Sequence, residues 1–326
     1  MEGSNETVQQ PPQLAAAAPT TTTKEAKLDI QRLGDVKTLL GEGPYWDPTA
    51  GVLYFVDILG CAIWRYSPDG DSFTSWPTPV PPSAISRTAD QRLVAVLADG
   101  FYEFHPVRGT FNLIAKVKFE NDVEQINDAK VDRQGRFVAG TTNNKSGQPV
   151  AGLYSFDGEK VTKLDDGFTI CNGPCWSPDG RRFYIADTIP NIIYAYDYNT
   201  ATGAISNKSV FADTSGVSGL PDGATVDANG RVWWTFVGSD GGLICYNPDG
   251  TIHQRLSTGI KSMTSIQFGG EMFDTIYLTS LDPEKVGRPK GDPDSGALYK
   301  IEQTAVIGLP EPLAAPIVYS QSTRTR

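Results

Sequence analysis

Histidine is nearly missing from this chain: His105 and His253 are the only two among 326 residues. Imidazoles so few and so far apart argue against a histidine-rich zinc hydrolase and against a His-based triad. Cysteine is sparse as well. Cys61, Cys171, Cys175 and Cys245 form no dense disulfide framework. Cys171 and Cys175 flank Asn172-Gly173-Pro174, yet no second ligand pair accompanies them. Buried or rim thiols therefore fit better than a redox pair or half a zinc site. No apolar run of about 18 residues is present, so no membrane span is expected. The opening MEGSNETVQQ has neither a basic start nor a compact apolar run. No secretory signal is read there, and a cytoplasmic location is expected.

Positive charge is in deficit. Lys and Arg number 28 against 38 Asp and Glu, for a net charge of -10. The usual basic footprint for nucleic acid or anionic lipid is absent. A negative field holds cations and repels anions, so a neutral small molecule suits this chain better than a phosphate or carboxylate. A monomer with no nucleic-acid or membrane partner is the expectation.

What the chain does have is short strands. Residues 1–27 are rich in Gln, Pro, Ala and Thr, and they read as a disordered tail, as do residues 321–326. Between them, residues 28–320 repeat loosely at a period of roughly 45, the mark of a propeller or solenoid. Six units can be counted. Their innermost strands are expected at Pro44-Tyr45-Trp46-Asp47, from Ile85, and at Ala129-Lys130-Val131-Asp132. The other three are Pro174-Cys175-Trp176-Ser177, Ala224-Thr225-Val226-Asp227 and Ser265-Ile266-Gln267-Phe268. Each is followed by an apolar, aromatic segment such as Val52–Asp57 or Phe183–Asp187. Such segments are bounded by Gly, Pro, Asp or Asn, which is strand chemistry. No convincing amphipathic helix appears. The fold expected is all-β, a six-bladed β-propeller with a central channel. The strand near Leu28-Asp29-Ile30 is expected to pair with the last blade and close the ring.

The units share a phase. Two positions before the innermost strand stand Glu42, Asn127, Asn172 and Asp222 in the first, third, fourth and fifth units, with Ser83 and Met263 in the others. Equivalent repeat positions sit equivalently around the axis, so four oxygen-bearing side chains should converge at the channel mouth. Singly, Asn or Asp beside Gly is a turn former. Four in one phase point instead to a site for a divalent cation: Ca²⁺, Mg²⁺ or Mn²⁺, with Zn²⁺ or Fe²⁺ tolerated. Glycine after Glu42, Asn172 and Asp222 is expected to let the backbone turn tightly. Asp57 and Asp187 read as structural acceptors, and Tyr45 and Trp176 as core.

The triplets also carry a resemblance. Leu40–Trp46, Asn127–Arg136, Asn172–Gly180 and Pro221–Gly223 with Val226, Asp227 and Gly230 resemble, in order, the four motifs of the regucalcin/gluconolactonase/luciferin-regenerating family. Thr169–Thr188 and Ile205–Lys208 look most like bacterial xylonolactonases and arabinonolactonases within it. The resemblance implies a metal-dependent lactonase with ligands Glu42, Asn172 and Asp222. Asn127 would lie beside the metal, as a ligand through water or as a substrate contact. Gln125 and Lys145 stand where regucalcin-type members carry arginine and glutamate, so the substrate contacts depart from that type. Asp222 is the candidate general base for opening a sugar lactone. Two other readings stay open: phosphotriester hydrolysis on a similar metal ring, and a non-catalytic calcium-binding interaction module.

Overall fold

In the computed structural model, residues 29–143, 147–238, 242–302 and 304–319 are described. They form six four-stranded antiparallel sheets, the blades of a β-propeller. The innermost strands are Gly41–Asp47, Pro82–Arg87, Gln125–Val131, Cys171–Trp176, Leu220–Val226 and Met263–Gly269. The next strands outward are Val52–Asp57, Leu93–Leu97, Phe137–Thr142, Arg182–Asp187, Val232–Val237 and Thr275–Ser280. These second strands are almost wholly buried. A strand covered on both faces needs no alternation, which explains their unbroken apolar and aromatic character. The outermost strands, such as Ser72–Pro77 and Ile205–Asp213, are largely exposed and polar. Among the described residues, the one helical turn is the short 3₁₀ segment Pro283–Val286. No helix of the described chain is long and apolar enough to cross a membrane.

The inner strands begin about three residues earlier than the sequence reading placed them. Each ladder runs on past the triplet by accepting a register shift there: Glu42/Tyr45, Pro82/Ala84, Ile126/Asp128, Asn172/Cys175, Pro221/Ala224 and Met263/Ile266. A bulge re-aims side chains without ending the strand. The triplets are therefore embedded in the sheets, with pairing on both sides. That is a firmer mount than a loop offers.

Ring closure follows the expectation. Ile30–Leu33 pairs antiparallel with Leu298–Ile301 as the outermost strand of the sixth blade, with Ile30 opposite Ile301. Side-chain packing reinforces the seam. Trp46 of the first blade stacks on Tyr277 of the sixth at 5.5 Å between ring centroids. Similar aromatic layers join other blades, as where Phe101 stacks on Phe156 at 4.3 Å.

Opposite the triplets, each inner strand ends in a turn. Asp47, Asp132 and Asp227 are fully buried at these ends and accept backbone N–H groups from the turn that follows. Residues 304–319 then run across this end as a strap. Ala228 N donates to Ile307 O and Gly308 N to Phe273 O. Ala314 N donates to Arg87 O and Ala315 N to Gly135 O. Turns of four blades are thus tied beneath one segment. The tail assignments for residues 1–27 and 321–326 lie outside the described residues, apart from the propeller itself.

Trp46→Ala removes half of the closing stack. A cost of about 3–5 kcal/mol is expected, because the seam cannot collapse to fill the space. Urea unfolding of the variant and the parent measures it, and equal midpoints would show that the seam carries no such weight.

Candidate metal and substrate site

The bulges deliver Glu42, Asn127, Asn172 and Asp222 to one end of the channel. The Glu42 and Asp222 carboxyls lie within hydrogen-bonding reach of each other. Asn127 Nδ2 donates to Asn172 Oδ1 at 2.7 Å and to the Cys171 carbonyl at 3.1 Å. Asn172 Nδ2 donates to Thr188 Oγ1 at 2.9 Å, and that hydroxyl donates to the Pro221 carbonyl at 2.9 Å. A continuous chain of bonds therefore runs from the third blade through the fourth to the residue before Asp222. Glu42 and Asn172 are buried, while Asn127 and Asp222 keep partial access to solvent.

The glycines serve two different needs. Gly43 and Gly173 adopt φ of +50° and +63°, in the left-handed region. Gly223 does not. Its constraint is space, since an added Cβ would stand 2.0 Å from Ser265 Oγ of the next blade. A side chain there would push the fifth and sixth inner strands apart.

Asp128 is the residue that the repeat phase did not single out. It occupies the slot that holds glycine in the other three triplets. Its Oδ2 accepts Gly173 N at 2.8 Å, and it lines the channel just behind the carboxyl pair. The signal was visible as the one charged residue in a glycine column. Ser83 and Met263 add nothing to the donor set. Ser83 Oγ donates to the Ile126 carbonyl, and Met263 is packed in an apolar cluster.

Three acids so placed resist ionisation. Burial first, then the charges of Asp222 and Asp128, hold Glu42 well above the usual carboxylate range, against the Gly43 N–H. Burial and the Asp128 charge push Asp222 up to about 8, while the Glu42 hydrogen bond and the Arg288 guanidinium pull the other way. Burial also raises Asp128, opposed by Gly173 N–H and the Lys130 charge. Lys130 reaches across the channel to the Ala224 carbonyl at 2.9 Å and to Glu311 of the strap at 3.2 Å.

These groups fit a hard divalent cation. Two carboxylates and an amide carbonyl are oxygen donors, and the Asn172 oxygen keeps one lone pair after accepting from Asn127. Among the described residues, no three His, Cys, Asp or Glu side chains gather as a ligand set, so amide oxygen is essential to this one. Like charges in contact gain from a cation between them.

The remaining assignments divide cleanly. Gln125 is half-buried, two residues before Asn127 and paired with Thr142 at the channel end. Lys145 lies outside the described residues. Asp57 accepts the Leu39, Leu40 and Gly60 N–H groups, and Asp187 accepts those of Thr169 and Ile170, which bears out their structural role. Tyr45 and Trp176 are buried core. The four cysteines are free, and burial pushes Cys175 up to about 12, which does not suit a redox nucleophile. Ile205–Lys208 lies on an outermost strand, away from the channel.

Comparison with known proteins follows this geometry. The family model described as SMP-30/Gluconolactonase/LRE-like region matches residues 40–282. The pentonolactonase XacC of Haloferax volcanii is 32% identical, covering 87% of this chain and 97% of its own. The L-arabinolactonase of Azospirillum brasilense is 29% identical, covering 85% of this chain and 92% of its own. Among solved structures, a calcium-binding regucalcin from Agrobacterium tumefaciens superposes with a TM-score of 0.80 at 27% identity. It covers 88% of this chain and 97% of the other.

Two outcomes are expected. Thr188→Val breaks the hydroxyl link between Asn172 and Pro221, and divalent-cation affinity by calorimetry should fall about tenfold to a hundredfold. The second concerns pH. In metal-free protein the folded state holds a proton on Asp222 that the unfolded chain releases near its ordinary pKa of 3.8. The Asp222 contribution to stability is then fully present below its ordinary pKa and is lost as pH rises toward about 8. The gain in melting temperature from a saturating divalent cation should therefore grow as pH rises across this range. A gain that does not change with pH would refute the assignment.

Proposed function

The chain belongs to the SMP-30/Gluconolactonase/LRE-like family, and from that premise we propose that it is a metal-dependent lactonase that opens a small sugar lactone to its acid. The observation that supports the reading is the meeting of the Glu42 and Asp222 carboxyls from two separate blades, with Asn172 at the equivalent position of a third and partial solvent access at Asp222. Relatives named pentonolactonase and L-arabinolactonase support the substrate class. An acidic chain also favours a neutral lactone over an anionic ester.

Glu42, Asn172 and Asp222 would hold the cation. A divalent cation bound there supplies Lewis-acid polarisation of the lactone carbonyl. The protein's own groups do the rest. Both N–H donors of Asn127 are engaged by Asn172 and the Cys171 carbonyl, which leaves its Oδ1 as an acceptor for a substrate hydroxyl. Gln125, at the same rim, is the second candidate contact, and Lys145 the third. Asp222 takes a proton from the attacking water as the general base. The water oxygen joins the carbonyl carbon, and the acyl C–O bond of the ring breaks. The proton held by Asp222 then passes to the departing ring oxygen, leaving a hydroxy acid.

A pH-indicator assay tests this with gluconolactone, xylonolactone and arabinonolactone, and with a phosphotriester, each with and without Ca²⁺, Mn²⁺ or Zn²⁺. Acid release is expected from a lactone, abolished by chelator and restored by metal. Asp222→Asn should lower kcat by about a hundredfold or more. Hydrolysis of the phosphotriester alone would transfer the site to that chemistry. Metal uptake with no hydrolysis would leave a binding module.

A further inference from the structure

We propose that Lys130 is a positioning residue of this site: it fixes the Asp222 bulge from behind, and the strap residue Glu311 fixes Lys130. The inference rests on the cation-site reading for what the bulge carries, but not for the contacts themselves.

The need arises in the sheet. An innermost strand has a partner on one side only, so its inward carbonyls face the channel and must find donors elsewhere. At Asp222 the need is sharper, because the ladder skips from Pro221 to Ala224. Three successive carbonyls across this bulge are each taken up by a side chain. Trp234 Nε1 donates to Asp222 O, Thr235 Oγ1 to Gly223 O, and Lys130 Nζ to Ala224 O, all at 2.9 Å. Trp234 and Thr235 belong to the next strand of the same blade. Lys130 comes instead from the third blade and crosses the channel, so it sets where the fifth inner strand stands relative to the third.

The ammonium is held in its turn. Glu311 Oε1 lies 3.2 Å from Lys130 Nζ, and the two side chains are only 12% and 17% exposed. Glu311 stands between Pro310 and Pro312, whose rings restrict φ. The strap is tied on either side of it, Gly308 N to Phe273 O and Ala314 N to Arg87 O, both at 2.8 Å. An exposed ion pair on a loose segment would fix little. This one is shielded and joins two braced pieces of chain. Asp128, two residues before Lys130 and lining the same channel, accepts Gly173 N of the fourth blade at 2.8 Å. One short stretch of the third inner strand therefore grips both the strand that carries Asn172 and the strand that carries Asp222.

Charge and geometry predict opposite effects here, which makes the claim testable. Lys130→Met removes a positive charge from the channel, and by Coulomb attraction alone that tightens cation binding. Loss of positioning weakens it. The parent is compared with Lys130→Met and with the double variant Lys130→Met/Glu311→Gln, which strands no buried carboxylate. Tyr319→Phe is the control, since it frees the strap from Glu103 without touching Lys130. Amide hydrogen exchange over residues 220–226 is followed in metal-free protein by mass spectrometry, and Mn²⁺ affinity by calorimetry.

Both Lys130 variants should exchange this strand about tenfold faster than the parent. They should also bind Mn²⁺ about tenfold to a hundredfold more weakly. Tyr319→Phe should match the parent in both measurements. The proposal is overturned if exchange over 220–226 is unchanged, or if Mn²⁺ binds the Lys130 variants as tightly as the parent or more tightly. Equal losses in Tyr319→Phe would overturn it too, because they would report a general loosening of the strap. A parent that takes up no Mn²⁺ would sink the cation-site reading, and the exchange result would then decide the positioning by itself.

Discussion

Glu42 and Asp222 bring two carboxyls together at one end of a channel with Asp128 behind them; burial raises the cost of ionising all three, and the charges of neighbouring acids raise it further for Glu42 and Asp222. Left alone, such a cluster keeps protons that water would take from it, and the fold gives up stability to hold it. The surrounding structure can be understood as what is required to sustain that arrangement. Inner strands must approach closely enough for acids on different blades to touch, and the aromatic layers between blades supply the adhesion. The bulge in each inner strand turns the side chain toward the axis without cutting the sheet. Oxygen donors mounted in this way do not have to be ordered when a ligand arrives, and that preorganisation is what a binding site needs from its scaffold.

The two ends of the channel are treated differently. At one end the acids face an opening rimmed by connections of unequal length. At the other, buried aspartates pin the turns and the segment 304–319 is laced over them. Lys130 couples the two, since one ammonium touches the fifth inner strand just past Asp222 and the strap carboxylate of Glu311. Neutralising charge behind the site rather than within it leaves the front acids available. The family model covers residues 40–282, which leaves both the outer half of the sixth blade and the strap outside it.

Much of this was legible in the residues before any coordinates. The repeat phase exposed six blades because each blade must solve the same packing problem, and the closing strand followed from the need to cover a sheet edge. Glu42, Asn127, Asn172 and Asp222 stood out because all four bear oxygen at the same phase of the repeat. Other features were hidden for identifiable reasons. Asp128 sat in a column read as backbone permissiveness, so its charge was passed over. Gly223 looked like its counterparts at Gly43 and Gly173, yet it answers to a neighbour's side chain and not to a dihedral, and only the inter-blade distance reveals that. The strand starts were set too late because a bulge preserves pairing where sequence suggests a break. The strap belongs to no repeat, and periodicity is blind to whatever occurs once.

The way the ring is fastened bears on how the molecule comes into being. The earliest described strand, Ile30–Leu33, has as its neighbour Leu298–Ile301, which the ribosome makes after the five preceding blades. Blades one to five can assemble in turn as they emerge, each from local hairpins. The sixth cannot be completed until a piece of chain made before the other blades has waited through the synthesis of all five. During that interval its backbone donors and acceptors stay unsatisfied, and bringing its two halves together means closing a very large loop, which is the slow kind of contact. Nascent chains of this protein are therefore most exposed to strand exchange with one another just before Leu298–Ile301 leaves the tunnel.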